Sequence, residues 1–93
     1  MNIVLGFPQQ DKQTGLYIKE GFEELGHKIV AINDPRVFPG PDQILMLADE
    51  YKPDFVFIAK DPRYNEIIEK LMVFNRYTRI NMFYSYFHLY KYN

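Results

Sequence analysis

Three short and nearly unbroken apolar runs divide the chain, at residues 2–7, 28–32 and 54–59. A half-exposed strand would alternate between apolar and polar residues, so unbroken runs of this length indicate strands buried on both faces of a sheet. A fourth apolar run at 80–87 predicts a fourth strand. Between these runs, apolar residues recur every three or four positions, which is the spacing of one helix face.

The boundaries of the intervening helices carry their own signals. Thr14 can cap the first helix, and Gly26 can end it in the left-handed conformation that glycine adopts at low cost. Pro41 suits the first position of the second helix, because an N–H group there would have no helical partner. Asp61 followed by Pro62 predicts the start of the third helix.

Strands and helices therefore alternate as βαβαβαβ in a single domain over residues 1–93. This order is typical of parallel strands joined by right-handed helical crossovers. We expect a small Rossmann-like α/β domain of three layers, with four parallel strands and three helices. The preferred strand order is 3-2-1-4 and the alternative is 2-1-3-4, while residues 88–93 have no assignment. In the preferred order the first two helices share one face of the sheet, and the third covers the other face alone.

Composition removes several functional classes. The 93 residues carry a formal net charge of −1, so no overall positive field would attract nucleic acid or an anionic membrane. The absence of cysteine excludes disulfides, thiolate metal ligands and thiol catalysis. No apolar run approaches the roughly 20 residues that a transmembrane helix needs. Residues 1–6 lack the features of a signal peptide, so we expect a cytoplasmic protein without a membrane span.

Three stretches of the chain carry a family resemblance. They are the opening strand running into Gly6, the segment FEELGHKIV at 22–30 and the segment YKPDFVF at 51–57. Together they resemble the N-terminal, acceptor-side domain of GT-B glycosyltransferases of the family 4 type, over about residues 1–60. The resemblance implies a Rossmann-like fold. It does not imply complete glycosyl transfer by this chain, because the family's paired glycines are replaced by Gly6-Phe7-Pro8 and its nucleotide-sugar domain is absent from the 93 residues.

A ligand site is expected where the carboxyl ends of the strands meet. In open parallel sheets, ligands bind in the crevice at the switch in strand order, which in the preferred topology lies between the first and fourth strands. The residues expected to border this crevice are Phe7, Gln9, Gln10, Thr14, Gly15, Asp34 and Ser85. The loop after the first strand lacks G-x-G-x-x-G, so a dinucleotide is not expected, and Asp34 is better interpreted as a cap of the turn before Pro35.

Other site chemistries find little support. A phospho-receiver needs clustered acids after the first strand to hold Mg²⁺, whereas Phe7-Pro8-Gln9-Gln10 stands there. His27 and His88 have no further ligands at metal spacing. Lys60, Asp61 and Arg63 could meet an anion at the third helix, but a capping role for Asp61 is favoured. We therefore expect no catalytic residue, no metal and no cofactor.

Residues 82–92 form the most unusual segment, since six of these eleven residues are aromatic. Apolar surface rimmed by tyrosine is typical of protein interfaces. We expect a homodimer, or docking to a larger partner, through the aromatic side chains of Phe83, Tyr84, Tyr86, Phe87 and Tyr90. The sequence favours a non-enzymatic binding or accessory module. The alternatives are the acceptor-side half of a GT-B glycosyltransferase completed in trans, and a small nucleotide-binding regulator.

Overall fold

Strands and helices alternate through most of the chain and a β-hairpin ends it. The computed structural model describes residues 1–9, 14–30, 36, 38–73, 77–80 and 86–93. The elements are β1 (Asn2–Gly6), α1 (Thr14–Glu24), β2 (Lys28–Val30), α2 (Pro41–Tyr51), β3 (Phe55–Ala59), a 3₁₀ turn (Pro62–Tyr64) that leads into α3 (Asn65–Val73), β4 (Tyr77–Ile80) and β5 (Phe87–Tyr92). Among the described residues, no helix is both long enough and apolar enough to cross a membrane.

The strands form one mixed sheet in the order β2-β1-β3-β5-β4. β1 is parallel to both β2 and β3, whereas β5 is antiparallel to its neighbours β3 and β4. The expected sheet of four parallel strands is therefore wrong, and so are both expected strand orders. The molecule is a small α/β domain with a mixed five-stranded sheet and three helices in its described part.

The correction arises at the expected fourth strand, 80–87. Two different strands occupy the two ends of this range. β4 ends at Ile80 and β5 begins at Phe87, and residues 81–85 lie outside the described residues. β4 runs in the same direction as β3, as a helical crossover requires, but it lies at the edge of the sheet. β5 then returns in the opposite direction and occupies the position beside β3, where Ile58 pairs with His88.

The helices lie on opposite faces of the sheet. α1 packs on one face, while α2 and α3 contact each other on the other face, α2 over β1 and α3 over β4. The expectation that the first two helices share a face is wrong, because β2 and β3 flank β1 on opposite sides. Right-handed crossovers that leave a strand in opposite directions place their helices on opposite faces.

The larger core lies beneath α2 and α3. It combines aliphatic residues of β1, β3 and α2 with three buried tyrosines, Tyr64, Tyr77 and Tyr90. The Tyr64 hydroxyl donates to the carbonyl of Pro39 at 2.9 Å, and the Tyr77 hydroxyl donates to the carbonyl of Pro53 at 3.0 Å. These two bonds tie the segment before α2 to the start of α3 and the segment after α2 to β4. A buried hydroxyl needs such a partner.

The smaller core lies beneath α1. Phe22 and Ile18 of α1 pack against a buried group of β1 and β3 side chains and the residue after β1, namely Ile3, Leu5, Phe57 and Phe7. Phe87 and Leu89 of β5 extend this cluster and are only half-buried. One helix is about 10 Å wide, whereas five strands at about 4.8 Å spacing span almost twice that width. The β5 and β4 side of this face therefore stays partly uncovered.

The expected end of the first helix and the expected start of the second are confirmed, whereas Thr14 is the first residue of α1 and not its cap, and Asp61 caps a 3₁₀ turn that precedes α3. α1 ends at Glu24, and Gly26 follows in the left-handed region with φ of 87°. The amide of His27 donates to the carbonyl of Phe22 at 3.0 Å, which together with the Gly26 bond to Glu23 makes a Schellman ending. α2 begins at Pro41, and the Asp61 carboxylate accepts from the Arg63 amide at the start of the 3₁₀ turn.

Gly15 sets the distance between α1 and the loop after β1. A Cβ atom at this position would lie 1.8 Å from the backbone carbonyl oxygen of Pro8. Only glycine permits so close an approach of two backbones. The first turn of α1 is consequently held directly beside the end of β1.

We expect Gly15→Ala to destabilise the domain by more than about 1 kcal/mol, since the new methyl group must push α1 away from Pro8. Gly21→Ala, in the same helix, is the matched control. A Cβ at Gly21 meets nothing within 4 Å, so that substitution should stabilise the domain by about 0.5–1 kcal/mol. Urea unfolding followed by circular dichroism measures both changes. Equal stabilities of the two variants would contradict the close packing at Gly15.

Candidate functional site

A cleft of about 560 Å³ opens at the carboxyl ends of β1 and β3. These two neighbouring strands form the switch point of the parallel part of the sheet, since the chain leaves β1 toward β2 on one side and returns to β3 on the other. The lining comes from the ends of both strands, the start of α1, the segment before α2 and the start of β5: Phe7, Pro8, Thr14, Gly15, Phe38, Ala59, Lys60, Asp61, Tyr86 and Phe87.

The expected crevice residues divide into three groups. Phe7, Thr14 and Gly15 line the cleft. Gln9 lies beside it, but its side chain is buried and donates from Nε2 to the carbonyl of Phe7, so it braces the loop after β1. The remaining three, Gln10, Asp34 and Ser85, lie outside the described residues.

Sequence reasoning missed the far wall of the cleft. Phe38 comes from the proline-rich segment before α2, and Lys60 follows β3. Both reach the cleft because β3 lies directly beside β1, an adjacency that the preferred strand order did not contain. The signal in the sequence for this wall is Lys60-Asp61-Pro62 at the end of a buried strand, a pattern that also marks the start of a helix.

Aromatic rings form the floor of the cleft. The ring centroids of Phe7 and Phe87 are 4.8 Å apart, and both rings also contact Phe57, at 5.7 Å and 5.1 Å. These tilted and edge-on arrangements are the favourable ones for aromatic pairs. Phe7 and Phe87 line the cleft, and Phe57 in the middle of β3 contacts both rings, so the floor is apolar.

Two further rings stand at the rim. Phe38 is 38% exposed and lies between the Tyr64 ring and the Arg63 guanidinium, whose carbon is 4.2 Å from the Phe38 centroid. Tyr86 is 84% exposed. The Lys60 amide donates to the carbonyl of Tyr86 at 2.8 Å, so the backbone beneath this ring is fixed to the end of β3. An exposed ring on an anchored backbone can stack on a ligand with little loss of freedom.

The carboxylate of the cleft is already engaged. Asp61 accepts from the backbone amide of Arg63 at 3.0 Å and from its Nε at 2.9 Å. The backbone hydrogen bond from Arg63, aided by the side-chain bond, lowers the pKa of Asp61 below its usual 3.8. Asp61 therefore stays ionised as a cap and orients Arg63, which in turn lies against Phe38. Tyr64 beneath them has its pKa raised by burial to about 12 and remains a neutral donor.

The residues expected at an interface occupy different environments. Tyr86 is exposed and Phe87 is half-buried, and both line the cleft. Tyr90 is fully buried beneath α2 and α3, so it is not on the protomer surface and the expectation for it is corrected. The face of the sheet on which Tyr90 lies follows from the antiparallel register of β5, and the sequence pattern does not specify that register. Phe83 and Tyr84 lie outside the described residues.

Metal-binding and similarity criteria add no further assignment. Within the described ranges, no group of three or more histidine and acidic side chains is placed to hold a metal ion.

Comparison of the chain with protein-family models, with curated proteins and with solved structures finds no match. The resemblance of residues 1–60 to GT-B glycosyltransferases is untested by these comparisons and stays a prediction.

Proposed function

We propose that the protein is a non-enzymatic binding module whose small ligand places a planar ring in the cleft at the ends of β1 and β3. The observation that carries this proposal is the cleft itself, about 560 Å³ in volume and bordered by the exposed rings of Phe38 and Tyr86. Small-molecule sites have volumes of about 300–1,000 Å³ and combine an apolar lining with a few polar groups.

The arrangement of the rings favours a flat ligand. Phe7 and Phe87 supply an apolar floor, while Phe38 comes from the segment before α2 and Tyr86 directly precedes β5. Aromatic pairs in stacked or edge-on contact contribute about 0.5–1.5 kcal/mol beyond the burial of their area. A ring bound among these side chains would make such contacts while covering the apolar surface they now expose.

The polar groups support binding more than catalysis. Asp61 is committed to capping and to Arg63, so it is poorly suited to move protons. Thr14 is the first residue of α1 and Lys60 follows β3, which makes both available to hydrogen-bond a ligand at the cleft. A nucleophile would need an adjacent base, and the described lining contains no histidine.

Adenosine, used as a planar probe, should perturb the amide NMR signals of Phe7, Gly15, Lys60 and Tyr86. Tyr86→Ala should weaken its binding about three- to tenfold, because one stacking contact is lost. Tyr51→Ala removes another exposed tyrosine, 52% exposed at the end of α2, and should leave the affinity unchanged. Signal changes confined to Gly26, His27 and Tyr51, at the opposite end of the sheet, would overturn this site.

A second, separate proposal concerns self-association. On the α1 face, Phe55 and Leu89 are half-buried, and Ile80, which pairs with Leu89, is 38% exposed. A small groove of about 120 Å³ at the same place is lined by Met1, Ile3, Phe22, Phe55 and Leu89 together with His27. This uncovered strip is continuous with β4, the edge strand. A second copy related by a two-fold axis would cover the strip and pair the edge at the same time.

Ile80→Lys tests the dimer with little effect on the core, since it places a charge on an exposed edge position. We expect the wild-type chain to sediment as a dimer at micromolar concentration and the variant as a monomer. Met46→Lys is the control, because Met46 is 58% exposed on α2, away from the strip, and it should remain dimeric. A wild-type chain that is monomeric at these concentrations refutes self-association.

A further inference from the structure

Three basic side chains form a row beside the cleft, on the sheet face that α2 and α3 cover. Lys60 follows β3, His88 lies on β5 and Arg79 lies on β4. His88 pairs with Ile58, so Lys60 is its diagonal neighbour, and Arg79 pairs with Tyr90, two residues along from His88. Residues two apart in a strand share a face, which brings the three basic side chains together across three adjacent strands.

The charge of this basic row comes from Lys60 and Arg79. Three acidic side chains of the described residues form ion pairs away from the row: Glu23 with Lys19, Asp61 with Arg63 and Glu66 with Lys70. The environment of His88 reflects the two neighbouring charges. Burial lowers the pKa of His88 below its usual 6.5, and the charges of Lys60 and Arg79 lower it further. His88 is therefore mostly neutral at pH 7 and can donate one N–H. A bound anion would offset the charges of Lys60 and Arg79 and favour the protonated form of His88.

A buried hydroxyl lies next to the row. Tyr90 is fully buried and pairs with Arg79 across the two strands, and Arg79 is the side chain that its hydroxyl meets. Burial raises the pKa of Tyr90, which keeps the phenol protonated, and Arg79 lies close enough to oppose that shift. Tyr90 therefore helps to position the Arg79 side chain at the row.

The basic row is continuous with the cleft through Lys60, which belongs to both. We propose that the ligand of the cleft carries a phosphate group held by Lys60, His88 and Arg79; this inference rests on the binding function proposed above. A phosphate monoester carries about −1.5 to −2 charges at pH 7 and three acceptor oxygens. It offers Lys60, His88 and Arg79 more negative charge and more acceptor oxygens than a carboxylate, which has one charge and two oxygens. The guanidinium of Arg79 adds a planar pair of donors.

The test compares adenosine, AMP and inorganic phosphate by calorimetry and amide NMR at low ionic strength. The wild-type chain should bind AMP at least about tenfold more tightly than adenosine, through charge-assisted bonds to the phosphate. Arg79→Gln, at an exposed edge position, should remove most of that ratio and leave adenosine affinity unchanged. Lys91→Gln is the matched control. Lys91 lies in the neighbouring strand on the opposite face of the sheet, so this variant should keep the ratio.

The outcomes separate the two proposals. Equal affinity for adenosine and AMP, or a ratio that Arg79→Gln preserves, overturns the phosphate site and leaves the binding function intact. If inorganic phosphate shifts the amide signals of Lys60 and His88 in the wild-type chain and not in Arg79→Gln, the phosphate site is supported even without nucleoside binding. If adenosine does not bind, the ring-binding proposal fails. If neither AMP nor phosphate affects these amides, the inference is wrong.

Discussion

The antiparallel ladder between β3 and β5 determines most of what is particular to this molecule. Five residue pairs join the two strands, from Phe55 with Lys91 to Ala59 with Phe87. This ladder brings the start of β5 to the end of β3, where the Lys60 amide meets the Tyr86 carbonyl. The aromatic floor and rim of the cleft follow from it, and so does the placement of His88 beside Lys60. Had a parallel strand filled this position, its carboxyl end would stand there instead.

The parts of the fold that depend on local chemistry could be predicted from the sequence. Gly26 ends α1 because the Schellman turn needs a left-handed residue, Pro41 begins α2 and Asp61 caps the 3₁₀ turn. The first three strands are recognisable because each is an unbroken apolar run. The position of a strand within a sheet depends instead on contacts between distant residues. The apolar pattern of 80–92 is nearly continuous, so it contains no period that would separate β4 from β5.

The candidate site was predictable to the same extent. Phe7, Thr14 and Gly15 follow from the rule that ligands bind at the carboxyl ends of parallel strands, which holds for any order of those strands. Phe38 and Lys60 required knowing that β1 and β3 are neighbours. Tyr90 was expected on a surface because its face depends on register, and a shift of one residue moves a side chain from one face of a sheet to the other. The basic row was missed for the same reason, since its members come from three separate elements.

The account depends on β5 lying antiparallel between β3 and β4, and backbone NMR tests that placement directly. The structure predicts cross-strand nuclear Overhauser effects between the backbone protons of Ile58 and His88 and between those of Val56 and Tyr90. It also predicts slow exchange of the Lys60 amide, which donates to Tyr86. Direct contacts between the backbones of β3 and β4, with none between β3 and residues 87–91, would contradict the arrangement and remove the basis for both the cleft and the basic row.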